Sequence, residues 1–218
     1  MGRGEFERLS EDALPARLAA ASKRLAGEFD GIYDLAAIQA AVDESAKALS
    51  TNGVTPYVHI LAERFTRERL TAQAQSEGRL EKAAPEVVFV SLTGGGRAQI
   101  GAALFARRVG TGLGVHCAGS DVSAEIDENV KAALSEVGID LSEGFTRPLT
   151  NEVLAGADVV VTMGRSVGPV EIPSSARHVD WRVGDPAGAE LDEVRRVRDD
   201  IERRINALAD ELTGATPS

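Results

Sequence analysis

The 218-residue chain holds a single cysteine, Cys117. That excludes an intramolecular disulfide and a cysteine-based zinc site. Cys117 sits in the apolar run Val115-His116-Cys117-Ala118, where a small buried apolar role is expected. The three histidines, His59, His116 and His178, stand far apart without HxxxH spacing, so no metal site is expected. Aromatic residues make up only 4%, which leaves the core to Ala, Val, Leu and Ile. Basic residues are outnumbered: 24 Lys and Arg against 34 Asp and Glu give a formal net charge of −10 and a pI near 4.9. This balance argues against general nucleic-acid binding, which needs a basic face. No apolar run approaches the roughly 20 residues that cross a bilayer. The charged start, Met1-Gly2-Arg3-Gly4-Glu5-Phe6, is not that of a secretory leader, so a cytoplasmic protein without membrane partners is expected.

The first 80 residues carry no strand pattern. Ser10 is expected to cap a helix through Leu14, Leu18, Ala21 and Leu25, and Asp34 a second with Leu35, Ile38, Val42 and Leu49 turned inward. Thr55-Pro56 opens a third, cap followed by proline, carrying Val58, Leu61, Phe65 and Leu70 toward Gly78. These helices form a module over residues 1–80, expected to serve as a packing or homodimer interface. The polar, proline-ended stretch 76–85 reads as a linker. Residues 81–218 change texture. Strands are expected at 87–91, 115–118, 158–163 and 177–181, alternating with helices near 97–104, 123–137 and 150–155. A last helix carries Val194, Val197, Ile201, Ile205, Leu208 and Leu212. The fold class is α/β, a four-stranded parallel sheet flanked by helices behind a three-helix module.

Among the strands, Val87-Val88-Phe89-Val90 is the most distinctive, because of the loop attached to its end. Ser91-Leu92-Thr93-Gly94-Gly95-Gly96-Arg97 leads into a helix with Ile100 and Leu104 on one face. Strand, Gly-rich loop and helix bring backbone N–H groups together on an anion at a helix N-terminus, and Arg97 adds a two-pronged donor for a phosphate-like oxyanion. No cysteine lies between Val87 and Leu104, so this loop for an oxyanion lacks a strong nucleophile. Loops after parallel strands share one end of the sheet, which also brings in Asp185-Pro186 beyond the last strand. A carboxylate facing an anion loop makes sense as an acid that delivers a proton to a leaving group, although Asp-Pro also opens ordinary turns. The glycines equally fit a plain tight strand–helix connection. A Walker loop is excluded because no lysine follows the glycines. The dinucleotide fingerprint fails because Gly101 falls two residues late, which leaves Asp121 only a weak imitation of a ribose-binding acid. A flavin mononucleotide on a flavodoxin-like sheet stays open, but no cofactor is expected.

Together these residues resemble the low-molecular-weight tyrosine phosphatase superfamily, in particular its arsenate reductases. The resemblance rests on Ser91-x5-Arg97, on Cys117-Ala118-Gly119-Ser120, and on Val137-Gly138-Ile139-Asp140-Leu141-Ser142. It also rests on Ala157 through Gly164, on Asp180-Trp181 through Asp185-Pro186-Ala187-Gly188, and on Arg198-Asp199-Asp200-Ile201-Glu202, so that it spans about 86 to 212. The stretch from Leu61 to Leu70 is similar to an extension on actinobacterial members. The resemblance implies a Cx5R loop with Ser91 in the nucleophile's place, Arg97 as anion ligand and Asp185 as general acid. The family's asparagine is Gly94 here, and Ala98 replaces a supporting hydroxyl residue. The loop 165–170 lacks the two resolving cysteines of thioredoxin-linked reductases. A serine hydroxyl is far less acidic than a thiol and takes no part in thiol redox steps. The implied protein binds a small inorganic oxyanion, phosphate, sulfate or arsenate, at 91–97 without thiol catalysis. Two other outcomes are a dimeric regulatory module and a working phosphatase or reductase with an altered mechanism.

Overall fold

A computed structural model describes residues 13–51, 58–93, 96–121, 126–141, 147–164 and 171–214. The chain divides into two compact units, Met1–Leu80 and Glu81–Ser218. In the first, α1 spans Leu14–Glu28, α2 Leu35–Thr51 and α3 Val58–Ser76. Asp34 caps α2 through a 2.7 Å bond from the Ala37 amide to its carboxylate. Ser10 and Thr55-Pro56, the expected caps of the other two helices, lie outside the described residues. Leu25, Phe29, Ile38, Val42 and Leu70 form the buried centre of this unit. Leu35 departs from expectation at 47% exposure, since it occupies the first turn beside the cap, at the end of the stripe. Ser45 and Thr66 pair at 3.0 Å inside the unit, so each buried hydroxyl has a partner.

The second unit is the α/β part. Strands β1 (Glu86–Thr93), β2 (Gly114–Asp121), β3 (Arg147–Pro148), β4 (Val159–Met163) and β5 (Arg177–Trp181) form one parallel sheet in the order β3-β2-β1-β4-β5. The four expected strands carry the sheet, and the two-residue β3 extends its β2 edge. Helices α4 (Arg97–Val109), α5 (Glu128–Ser135), α6 (Asn151–Ala155) and α7 (Leu191–Thr213) complete the unit. Alternation along the central strand sorts the two faces. Val87 and Phe89 join Val161, Met163 and Trp181 beneath α4, α5 and α7, and Phe89 stacks tilted on Phe105 at 5.4 Å. Val88, Val90 and Val160 face Leu154 and Ala157 instead. The stripe Val194, Val197, Ile201, Ile205 and Leu208 is buried in α7, as its spacing predicts. Gly101 lets α4 close on the sheet: a Cβ there would lie 2.5 Å from Met163 Cε and 3.0 Å from Phe89.

The chain leaves β1 toward β2 on one side and reaches β4 on the other. The carboxyl end of β1 is therefore the topological switch point, where open α/β sheets bind ligands. No described helix is long and apolar enough to cross a membrane.

Candidate active site

Arg97 is the first residue of α4, and only 8% of it is exposed. Its guanidinium lies against the backbone of Gly164, just past β4, where a Cβ would sit 3.1 Å from Nη1. Gly164 has φ +107°, so any other residue there would be strained as well as obstructive. Among the described residues Nε has no hydrogen-bond partner, although it is fully buried. A buried unpaired donor is costly, and among the described residues no acceptor meets this one. The first turn of α4 holds no acidic residue, so the positive end of the helix dipole is not offset there.

Asp185 arrives from the loop after β5. Its Oδ2 lies 3.2 Å from Arg97 Nη2, and its Oδ1 accepts from the Ala187 amide at 3.2 Å. The two residues singled out from the sequence therefore meet. Two features that were not singled out hold the acid-bearing loop. Gly96, with φ +99°, leaves a notch for Pro186, whose Cγ would be 2.7 Å from a Cβ at that position. At the start of α5, Asp127 accepts from the Asn129 amide as helix cap at 2.8 Å and from the Gly188 amide at 3.2 Å. Asn129 Nδ2 then donates to the Ala189 carbonyl at 2.9 Å. An Asp-x-Asn helix start is legible in a sequence; its second partners, distant along the chain, are not.

Ser91 is buried and stays within β1, paired in register with Gly119 and Met163. The strand runs two residues further than expected, through Leu92 and Thr93, because β2 is equally long and pairs Asp121 with Thr93. Residues 91–93 are thus extended backbone within the sheet rather than a free loop. Gly94 and Gly95 lie outside the described residues, as does the loop 165–170, while Gly96 and Arg97 stand at the helix entrance. Cys117, partly buried in β2, pairs with Phe89 well inside the sheet. No cluster of His, Cys, Asp and Glu suited to a metal occurs among the described residues.

Known proteins resemble the chain in sequence and in fold. Residues 18–74 match the N-terminal domain of protein-tyrosine-phosphatase-like proteins. The chain is 33% identical over 130 residues to a putative arsenate reductase of Halobacterium salinarum, covering 57% of this chain and 90% of that protein. An arsenate reductase of Brevibacillus brevis is 34% identical, over 52% of this chain and 86% of its own. Among solved structures, a Corynebacterium glutamicum thioredoxin-dependent arsenate reductase aligns with a TM-score of 0.78 at 29% identity, covering 91% of this chain and 97% of that one. An arsenate reductase in the phosphate binding state aligns at 0.51 and 28%, over 59% of this chain and 98% of its own. Residues 86–217 match the model of low molecular weight phosphotyrosine protein phosphatases, and the chain belongs to that family.

Proposed function

We propose that the α/β unit binds a tetrahedral oxyanion at Gly96 and Arg97, and that Ser91 in the nucleophile's place leaves it without thiol catalysis. The observation that carries this reading is the buried guanidinium of Arg97 with its Nε–H unpaired among the described residues. An oxyanion would satisfy that donor, which the ion pair with Asp185 leaves free, and meet the N-terminal end of α4. A relative solved in a phosphate binding state and relatives named arsenate reductases support phosphate and arsenate as the anions to test.

The missing chemistry is specific. Arsenate reduction takes two electrons, which a thiol system supplies by forming a disulfide; a serine hydroxyl supplies none. Attack on a phosphate ester by serine also needs a base to take the hydroxyl proton, since the free hydroxyl is a weak nucleophile. Cys117 does not substitute, because it pairs with Phe89 in mid-strand, away from the carboxyl end of β1.

Calorimetric titration of phosphate into the full chain tests the binding claim. One saturable site is expected, lost in Arg97→Ala. An absence of binding in the unaltered protein, or equal binding in the variant, contradicts the proposal.

A further inference from the structure

The geometry points to Asp185 as a residue that sorts oxyanions by protonation: we infer that it admits those bearing a proton, phosphate and arsenate, and disfavours sulfate and selenate. This rests on the reading that Arg97 holds an oxyanion. Asp185 Oδ2 lies 3.2 Å from Arg97 Nη2, so an oxyanion held on that side of the guanidinium is brought beside the carboxylate. Toward Arg97, Asp185 presents acceptor oxygens. Two anionic oxygens in contact repel each other unless one carries hydrogen. At neutral pH phosphate and arsenate keep at least one proton and can donate it to Asp185. Sulfate and selenate, nearly the same in size and shape, have none.

The loop that carries this half-exposed carboxylate is anchored. The carboxylate's other oxygen accepts from the Ala187 amide at 3.2 Å, and Pro186 fills the notch at Gly96. Beyond it, Asp127 and Asn129 hold Gly188 and Ala189 from α5 at 3.2 and 2.9 Å. A ligand without a proton must therefore accept the repulsion or turn the carboxylate out, losing the Ala187 bond and the Arg97 pair. A charge-assisted hydrogen bond made by one anion and denied to the other corresponds to roughly ten- to hundredfold in affinity.

The test is calorimetry on the full chain with two size-matched pairs, phosphate with sulfate and arsenate with selenate, in the unaltered protein, Asp185→Asn and Arg97→Ala. The expected result is a preference of about tenfold or more for phosphate over sulfate and for arsenate over selenate. In Asp185→Asn the amide can donate, so sulfate and selenate gain affinity and both ratios fall toward one. Equal binding within each pair in the unaltered protein, or ratios that persist in Asp185→Asn, overturns the inference while leaving oxyanion binding at Arg97 intact. Binding of none of the four by either the unaltered protein or Asp185→Asn overturns both.

Discussion

A guanidinium that is nearly all buried is tolerated only where every neighbour makes room or makes contact. Around Arg97 the room comes from glycines. Gly164 presents bare backbone to the guanidinium, and Gly96 receives Pro186. Gly96→Ala would combine a left-handed φ of +99° with a Cβ 2.7 Å from Pro186 Cγ. The strain alone costs about 1–2 kcal/mol, and relief requires the Asp185 loop to move. We expect a lowered midpoint in urea and phosphate affinity reduced by about tenfold, read by calorimetry on the folded variant. Gly164→Ala carries the same left-handed strain, at φ +107°, and also pushes on Arg97, so a lowered urea midpoint and weaker phosphate binding are both expected; an unchanged affinity would show that the guanidinium is not held in its binding position there. At this scale the sequence singled out two residues that the fold brings together, Arg97 and Asp185. Ser91-x5-Arg97 and Asp185-Pro186 are legible because spacing and a rigid dipeptide mark them. The contact of Gly164 with Arg97 is not, because only the β1–β4 pairing brings those residues together.

The elements were legible wherever burial imposes a period. α7 alternates polar and apolar residues at helical spacing, and its apolar stripe is buried. β1 and β4, covered on both faces, read as continuous apolar runs. Element ends were less legible. Thr93 extends β1 because β2 is there to pair with it, and α5 begins at Glu128 because Asp127 caps it. A strand's partner and a cap's second role both depend on residues distant in sequence. The clamp between α5 and the Asp185 loop gives a prediction at this scale. Asn129→Ala leaves the cap intact and removes the bond to the Ala189 carbonyl, at a cost of about 1 kcal/mol. With the loop loosened, discrimination between phosphate and sulfate should shrink while phosphate still binds. Asp127→Ala, which also loses the cap, should cost about 1 kcal/mol for that bond alone. Urea titration together with the anion pair checks both. Retention of full discrimination in Asn129→Ala would mean that the clamp does not position the acid.

Across the molecule, several carboxylates are paired with arginines. Arg195 and then Arg198 bond the Glu136 carboxylate and hold it down to about 2, against an ordinary value of 4.5. Arg67 lowers Glu28 and Arg24 lowers Glu63 within the helical unit, and Arg177 lowers Glu211 on the α/β unit. Each of these carboxylates binds its proton more weakly when folded than when unfolded. The stability they contribute is therefore present above 4.5 and lost as pH falls through the folded values toward 2. Thermal melts should be flat near neutrality and fall modestly in that window, since exposed pairs contribute little each. Glu136→Gln should flatten part of the fall, and high salt should reduce it, because these pairs are exposed to screening. A pH dependence unaltered by Glu136→Gln would contradict this. The polar stretch 76–85 contains the division between the units, which lies between Leu80 and Glu81. Composition shows such a boundary because a stretch with few apolar residues has no core to join.

The proposed oxyanion site, with Ser91 in the nucleophile's place, is probed most simply by the rate of aryl phosphate hydrolysis, measured for the unaltered chain and for Ser91→Cys. No turnover is expected from the unaltered protein, measurable turnover from Ser91→Cys, and its loss again when Arg97→Ala is added. Turnover by the unaltered chain that Arg97→Ala abolishes, or a Ser91→Cys protein that folds and remains inert, would contradict that reading of the site.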